Sequence, residues 1–348
     1  MSLTRLGLRY PLIVAPMAGG PSTPKLTAIS SNTGALGSIG AAYLTPNQIK
    51  IAADEVKKNT QKPFAINLFV PSNTKDPTPN QIHIAKEELK PYEQQLHVKI
   101  PDIQGPFDHD FDQQVEAVLD ARPSVFSFCF GLLPKEYIKK AHDEGILVVG
   151  TATTVDEAIL LCKNNVDAIV LQGVEAGGHR GIFDVQAEDP QISTFNLLND
   201  CLKNKMLCKV PLIAAGGIMN SNHIKKMLNA GASAVQMGTA FLTCTEAGTS
   251  APYRRALSKE SRDTELTRVF SGRIARGIKN KFLNEMKTKN ILSFPAQNTL
   301  TRFLRNASVQ NDSEDYLSLW SGTGEGTLWT GSAEDLIKDL FDNVPNKH

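Results

Sequence analysis

The chain has 348 residues, and 41% of it is hydrophobic, enough for a sizeable core in one large α/β barrel with an appendage or in two ordinary domains. Its 37 Lys and Arg against 36 Asp and Glu leave a formal charge of +1, which argues against a basic nucleic-acid surface or an anionic-membrane partner. Its five cysteines show no C-x-x-C spacing and no accompanying histidine cluster, so they suggest no disulfide and no metal site, only reduced thiols in a cytoplasmic protein.

Arg5 and Arg9 precede an apolar run that Pro11 and Pro16 interrupt, too short and broken for a signal peptide. No stretch is long enough to span a bilayer. Leu12–Met17 reads as a buried strand. Pro24 opens a helix to about Asn32, which Gly34 ends. Ala35–Gly40 is a second strand. Thr45-Pro46 starts a helix with apolar positions at Ile49, Ile51, Ala52 and Val56. Pro63–Val70 is a third strand, polar only at Asn67. The rhythm then lapses over an excursion, 71–122, with helical pieces near Asn80–Leu89 and just beyond 110. It resumes with strand Val125–Phe130, a helix from Pro134 to about Glu144, and strand Ile146–Gly150. Thr154 with Glu157 forms a capping-box pattern for the next helix. Ala168–Leu171 is the sixth strand, a helix lies near Phe195–Lys205, and Pro211–Gly217 is the seventh strand. Asn220 or Ser221 caps a helix to Asn229, and Ala234–Phe241 is the eighth strand.

Eight buried strands separated by helices predict an α/β fold, a (β/α)8 TIM barrel over residues 1–244; an open doubly wound sheet is the rival. The βα period is lost at 245–327, which reads as a mostly helical appendage over one barrel mouth. Within it, Phe270–Gly277 is a glycine-bounded basic turn. Residues 328–348 hold a last amphipathic helix with Leu336, Ile337 and Leu340 on one face, packing back on the barrel.

Chemistry concentrates at the predicted strand ends. Strand six runs into Gln172-Gly173-Val174-Glu175-Ala176-Gly177-Gly178-His179-Arg180-Gly181, which presents an imidazole on a glycine-rich loop. Gly216-Gly217 ends strand seven and Gln236-Met237-Gly238-Thr239 closes strand eight, where this fold commonly holds a phosphate on bare N–H groups. Flavin mononucleotide (FMN) suits that pattern. Its phosphate would lie at Gly216, Gly217, Gly238 and Thr239, and its ring edge at Asn67 and the Gln172 or Gln236 amides. The Ala15-Pro16-Met17-Ala18 turn would pass along the ring. Each residue also has a plainer role open to it. His179 could only tie its loop together, Asn67 and Gln236 could satisfy barrel-interior hydrogen bonds, Gly216-Gly217 could be a turn, and Gly238-Thr239 a helix cap.

Several segments closely resemble the class I nitronate monooxygenases over essentially the whole chain. They are Ala15-Pro16-Met17-Ala18-Gly19-Gly20, Asn67-Leu68-Phe69-Val70-Pro71, Gln172-Gly173, Ala176–Gly181, Ala215–Ile218, Gln236–Thr239, Ser271-Gly272-Arg273 and Ala275-Arg276-Gly277. The Gly-Gly-His loop is shared with FMN-dependent enoyl-acyl-carrier-protein reductases, which use NAD(P)H. The resemblance implies a TIM barrel with non-covalent FMN. It implies oxidation of alkyl nitronates such as propionate 3-nitronate by O2, through a flavin semiquinone, to an aldehyde or keto product and nitrite or nitrate. Carried over by motif, His179 is the catalytic histidine, and Asn67, Gln172, Gly177, Gly217, Gln236, Met237, Gly238 and Thr239 contact FMN; Ala15, Pro16, Met17, Gly178 and Gly216 complete the expected FMN-binding set. Substrate residues are expected from the excursion and the appendage, where Tyr253 and Phe294 lie. The expected partners are small molecules alone, in a monomer or homodimer. The competing readings are an FMN-dependent enoyl reductase and a non-catalytic FMN-binding barrel.

Overall fold

Short apolar strands alternating with capped helices wind the chain around a parallel ring. The computed structural model describes residues 3–342 apart from Asn73, Glu260 and Thr327. Its strands are β1 (Leu12–Val14), β2 (Gly37–Gly40), β3 (Phe64–Phe69), β4 (Val125–Cys129), β5 (Leu147–Ala152), β6 (Ala168–Gln172), β7 (Gly178–His179), β8 (Leu212–Ala215), β9 (Ala234–Met237), β10 (Thr264–Thr267) and β11 (Ala275–Ile278). Eight pair in parallel in the order β1-β9-β8-β6-β5-β4-β3-β2. A bridge from Ile13 to Leu36, just before β2, joins the two ends, with Val14 N donating to Leu36 O at 2.9 Å. The result is a TIM barrel.

The connecting helices are α1 (Pro24–Thr33), α2 (Pro46–Asn59), α3 (Pro79–Leu96), α4 (Phe111–Ala121), α5 (Lys135–Asp143), α6 (Val155–Lys163), α7 (Thr194–Lys203) and α8 (Ser221–Asn229). Thr23 caps α1 by accepting from Leu26 N, and Thr45 with Gln48 forms a reciprocal box on α2. Thr154 caps α6, but Glu157 does not complete the box. Its carboxylate instead accepts from Thr153 N, Thr153 Oγ1 and Phe183 N, tying α6 to the loop beyond His179. On α2, Ile49, Ala53 and Val56 face the core while Ile51 is 56% exposed, because a step of two positions turns a side chain to the opposite side of the helix. The eighth predicted strand stops at Met237, and Thr239–Phe241 turns as a 3-10 helix.

Strand parity sorts the barrel side chains. Ile13, Ala65, Val149, Val170, Ile213 and Ala234 pack inside the ring. Neighbours such as Leu12, Ile66, Val148, Ile169 and Val235 face the helices. The inward parity continues at the C-terminal strand ends as Asn67, Thr151, Gln172 and Gln236, a polar layer over an apolar plug.

The appendage holds α9 (Ala251–Leu257), α10 (Lys281–Met286), α11 (Ala296–Gln310) and a β10–β11 hairpin that periodicity did not announce. The excursion joins it. α3 runs past Pro91, a residue that costs about 3 kcal/mol inside a helix. Burial of Leu89, Tyr92 and Leu96 beside Phe282, Leu283, Leu300 and Leu304 offsets that cost in a second core. The last helix, α12 (Ala333–Phe341), returns to the barrel core through Leu336, Ile337 and Leu340, with Phe341 stacked on Tyr10 at 4.7 Å. Among the described residues no helix is long and apolar enough to cross a membrane.

Candidate functional site

The polar layer opens into a cavity of about 540 Å³ between the barrel mouth and the appendage. All thirteen cofactor candidates and His179 line it. Residues far apart in the chain meet there because they share one parity at one end of one barrel.

His179 is not on a free loop. Gly178–His179 forms β7, which pairs antiparallel with Ala275–Arg276 of the hairpin, so the appendage holds the imidazole. Gln172 binds the same loop from beneath. Its Nε2 donates to His179 O at 3.0 Å, and its Oε1 accepts from Arg180 Nη1 at 2.7 Å and Gly181 N at 2.8 Å. Arg180 is fully buried, pairs with Asp189 at 2.6 Å and donates to Gly173 O at 2.7 Å. Gln172 thus reaches the cavity with its acceptor already engaged. His179 Nε2 lies 2.8 Å from Ser271 Oγ. Four aromatic rings surround the imidazole, with centroids at 6.0 Å (Phe69), 5.8 Å (Phe130), 6.0 Å (Phe294) and 5.6 Å (Trp320). Burial among them pushes its pKa down to about 3, and the positive charges of Arg273 and Arg305 push the same way. The ring is neutral near pH 7.

Opposite lies a cradle of main chain. Gly217 adopts φ +70°, and a Cβ there would meet Glu175 Cβ at 2.9 Å. The N–H groups of Gly217, Ile218, Gly238 and Thr239 have no protein acceptor among the described residues. A strap, residues 320–324, lies across the cradle. Gly322 N donates to Thr239 Oγ1 at 3.1 Å and Thr323 N to Glu175 O at 3.0 Å. Gly177 lies against it so closely that a Cβ would come within 2.5 Å of Gly322 N. Between cradle and histidine, the Gln236 carboxamide has no hydrogen-bond partner among the described residues. Asn67 donates from Nδ2 to Ser127 Oγ at 3.0 Å, which leaves its oxygen for a ligand. Beside Gly238, Met17 Sδ lies where it can touch a flat ring, 3.7 Å from a Cβ built on that glycine.

The rim comes from α11, whose Asn298, Arg302, Arg305 and Asn306 line the cavity at helical spacing. Sequence reasoning expected substrate residues from the appendage without locating these, although Pro295 opens the helix that carries them. Nor did it assign a role to Ser271, Arg273, Phe130 or the strap. Tyr253 lines the cavity, but its hydroxyl donates to Trp320 O. Phe294 stands behind the imidazole. Cys129 also lines the cavity, and burial pushes its thiol up to about 12, opposite to what a reactive thiolate needs.

The nitronate monooxygenase family matches residues 2–343. A probable nitronate monooxygenase from Staphylococcus aureus (strain MSSA476) is 38% identical over 344 residues, covering 97% of this chain and 95% of the relative. The corresponding protein of strain MRSA252 is likewise 38% identical over 344 residues. Among solved structures, a nitroalkane oxidase from Streptomyces ansochromogenes superposes with a TM-score of 0.89 at 33% identity, covering 98% of this chain and 96% of that one. FabK from Thermotoga maritima superposes at 0.73 with 26% identity, covering 98% and 94%. With its barrel, its cavity and its histidine loop in place, the chain belongs to the nitronate monooxygenase family and is an oxidoreductase of that family.

Proposed function

We propose that this protein is an FMN-dependent nitronate monooxygenase that oxidises alkyl nitronates, such as propionate 3-nitronate, with O2 to a carbonyl product and nitrite or nitrate. One observation carries the reading: a neutral, partly buried imidazole shares its cavity with a cradle of unpaired main-chain N–H groups. A doubly charged phosphate suits such a cradle, and neutral N–H dipoles bind it without a compensating cation. The Gln236 carboxamide and the Asn67 oxygen match the alternating donors and acceptors of an isoalloxazine edge. Gln172 would contribute only the second hydrogen of its Nε2, since its oxygen serves the loop.

What the flavin supplies when bound is an electron acceptor that oxygen can re-oxidise. The chain's residues do the rest. Arg302 and Arg305 attract an anionic substrate to the mouth. Phe69 and Trp320 exclude water around it. His179 takes the α-carbon proton of a neutral nitroalkane on the ring nitrogen that Ser271 does not occupy. A nitronate has already lost that proton and needs the imidazole only for orientation.

Two measurements test the reading. The purified protein is expected to be yellow and to be bleached anaerobically by a nitronate but not by NADPH; rapid bleaching by NADPH alone selects the enoyl-reductase alternative. His179→Asn is expected to keep FMN and to lose roughly 100-fold or more on nitroalkanes, with a smaller loss on nitronates. Near-native rates on both substrates would remove His179 from the chemistry.

A further inference from the structure

Arg273 is a buried cation that neither the cofactor cradle nor the substrate rim accounts for. It is 2% exposed, and its guanidinium lies over the Phe130 ring at 3.8 Å. One Nη2 hydrogen bond goes to Ile182 O, while Nε and Nη1 have no partner among the described residues. Glu157 and Asp184 are the acidic groups that act on it, and the Glu157 carboxylate is already held by Thr153 and Phe183. A cation kept out of water with so little compensation works against stability.

Three of Arg273's neighbours also bear on His179. Phe130 is one of the rings around the imidazole, and Ile182 lies three residues beyond His179 on the same loop. Ser271 is the imidazole's hydrogen-bond partner. Its Oγ accepts from Arg273 N at 3.3 Å, donates to Arg273 O at 3.2 Å, and lies 2.8 Å from His179 Nε2. A hydroxyl has one hydrogen and two acceptor sites. With its hydrogen given to Arg273 O, Ser271 can only accept from His179. In that arrangement Nε2 carries the ring proton and the lone pair belongs to Nδ1.

We infer that Arg273 is the positioning residue of His179: its side chain, over Phe130 and bonded to Ile182 O, fixes the wall and the loop around the imidazole, its main chain orients Ser271 against Nε2, and its buried cation lies beside the ring unneutralised. Nδ1 is then the basic atom. Other groups face the imidazole from neighbouring elements. Arg305 projects from α11 with the same sign and a weaker effect. Arg180, adjacent in the chain, is neutralised by Asp189. Arg276, paired in register with Gly178, donates to Val174 O. Cys129 from β4 is kept protonated by burial. Burial by the aromatic rings acts alongside them all, so Arg273 is the second influence on the ring rather than the first.

The inference rests on the proposed role of His179, but its readout does not need turnover. The full chain carrying 15N-labelled histidine is titrated by NMR, with the His179 signals identified by their loss in His179→Asn. In the parent protein, Nε2 is expected to be the protonated nitrogen, with the ring neutral well into acid. Arg273→Lys keeps the charge and should titrate like the parent. Arg273→Gln should acquire its proton about one pH unit or more higher while keeping the parent's tautomer, because Ser271 is held by the main chain of residue 273, whereas Ser271→Ala should mix the two tautomers. Matching melting temperatures establish that the variants are folded. A Gln variant whose ring behaves as the parent's across the range in which the fold survives, or a Lys variant that behaves like Gln, would overturn the inference. If the titrations come out as expected in a protein that oxidises no nitronate, the inference stands and the proposed function falls.

Discussion

At the scale of single residues, chemical identity and role separate. Gln172 and Gln236 look alike in the sequence, each polar at the end of an apolar strand. In the fold one is committed to its own loop and the other is open to a ligand, because only β6 continues into a segment that doubles back over its own end. His179 carries a consequence for stability. Its folded pKa of about 3 lies below the unfolded value of about 6.5, so between those limits the unfolded chain binds the extra proton. The imidazole's contribution is therefore fully present above pH ~6.5 and lost as the pH falls toward 3, at no more than roughly 1.4 kcal/mol per pH unit. His179→Asn is expected to flatten that part of the acid dependence. Denaturant unfolding of both proteins at about pH 7 and about pH 5 measures it, and a pH-independent difference between them would contradict the assignment.

At the scale of elements, helix ends were the most legible. Thr23-Pro24 and Thr45-Pro46 with Gln48 are local signals whose bonds close within a turn. Glu157 was misread for the opposite reason. A buried carboxylate goes to whichever donors lack partners, and here those were Thr153 and Phe183. The strand carrying His179 was illegible, since two residues show no period and their partner lies almost a hundred positions away. The loop around that strand hangs on Arg180 and Asp189. Asp189→Asn or Arg180→Met is expected to cost about 3–5 kcal/mol by leaving a buried charge alone. The double variant Arg180→Met/Asp189→Leu should recover part of that loss. Equilibrium unfolding of the set decides, and strictly additive losses would show that the two charges do not depend on each other.

At the scale of the molecule, the site lies between two cores. The barrel supplies strand ends, while the excursion and the appendage together build the second core that carries the rim, with α3 packed on α11. Leu300→Ala, in the middle of that core and fully buried, is expected to cost about 2–5 kcal/mol. The loss should be regional. Hydrogen exchange is expected to speed up in α3 and α11 and to stay unchanged in β4–β6, whereas uniform acceleration would mean that the two cores unfold as one.

The sequence by itself determined the barrel and the floor of the site. Alternating strands, helix caps and glycine turns are local, and strand parity carries Asn67, Gln172 and Gln236 to one mouth without reference to anything distant. Only the tertiary structure decided which amide is spent and which is open, that a hairpin from the appendage holds the histidine, and that Arg273 lies buried behind it. Those outcomes depend on desolvation and on competition for hydrogen-bond partners among residues distant in sequence, and neither quantity exists until the chain has folded.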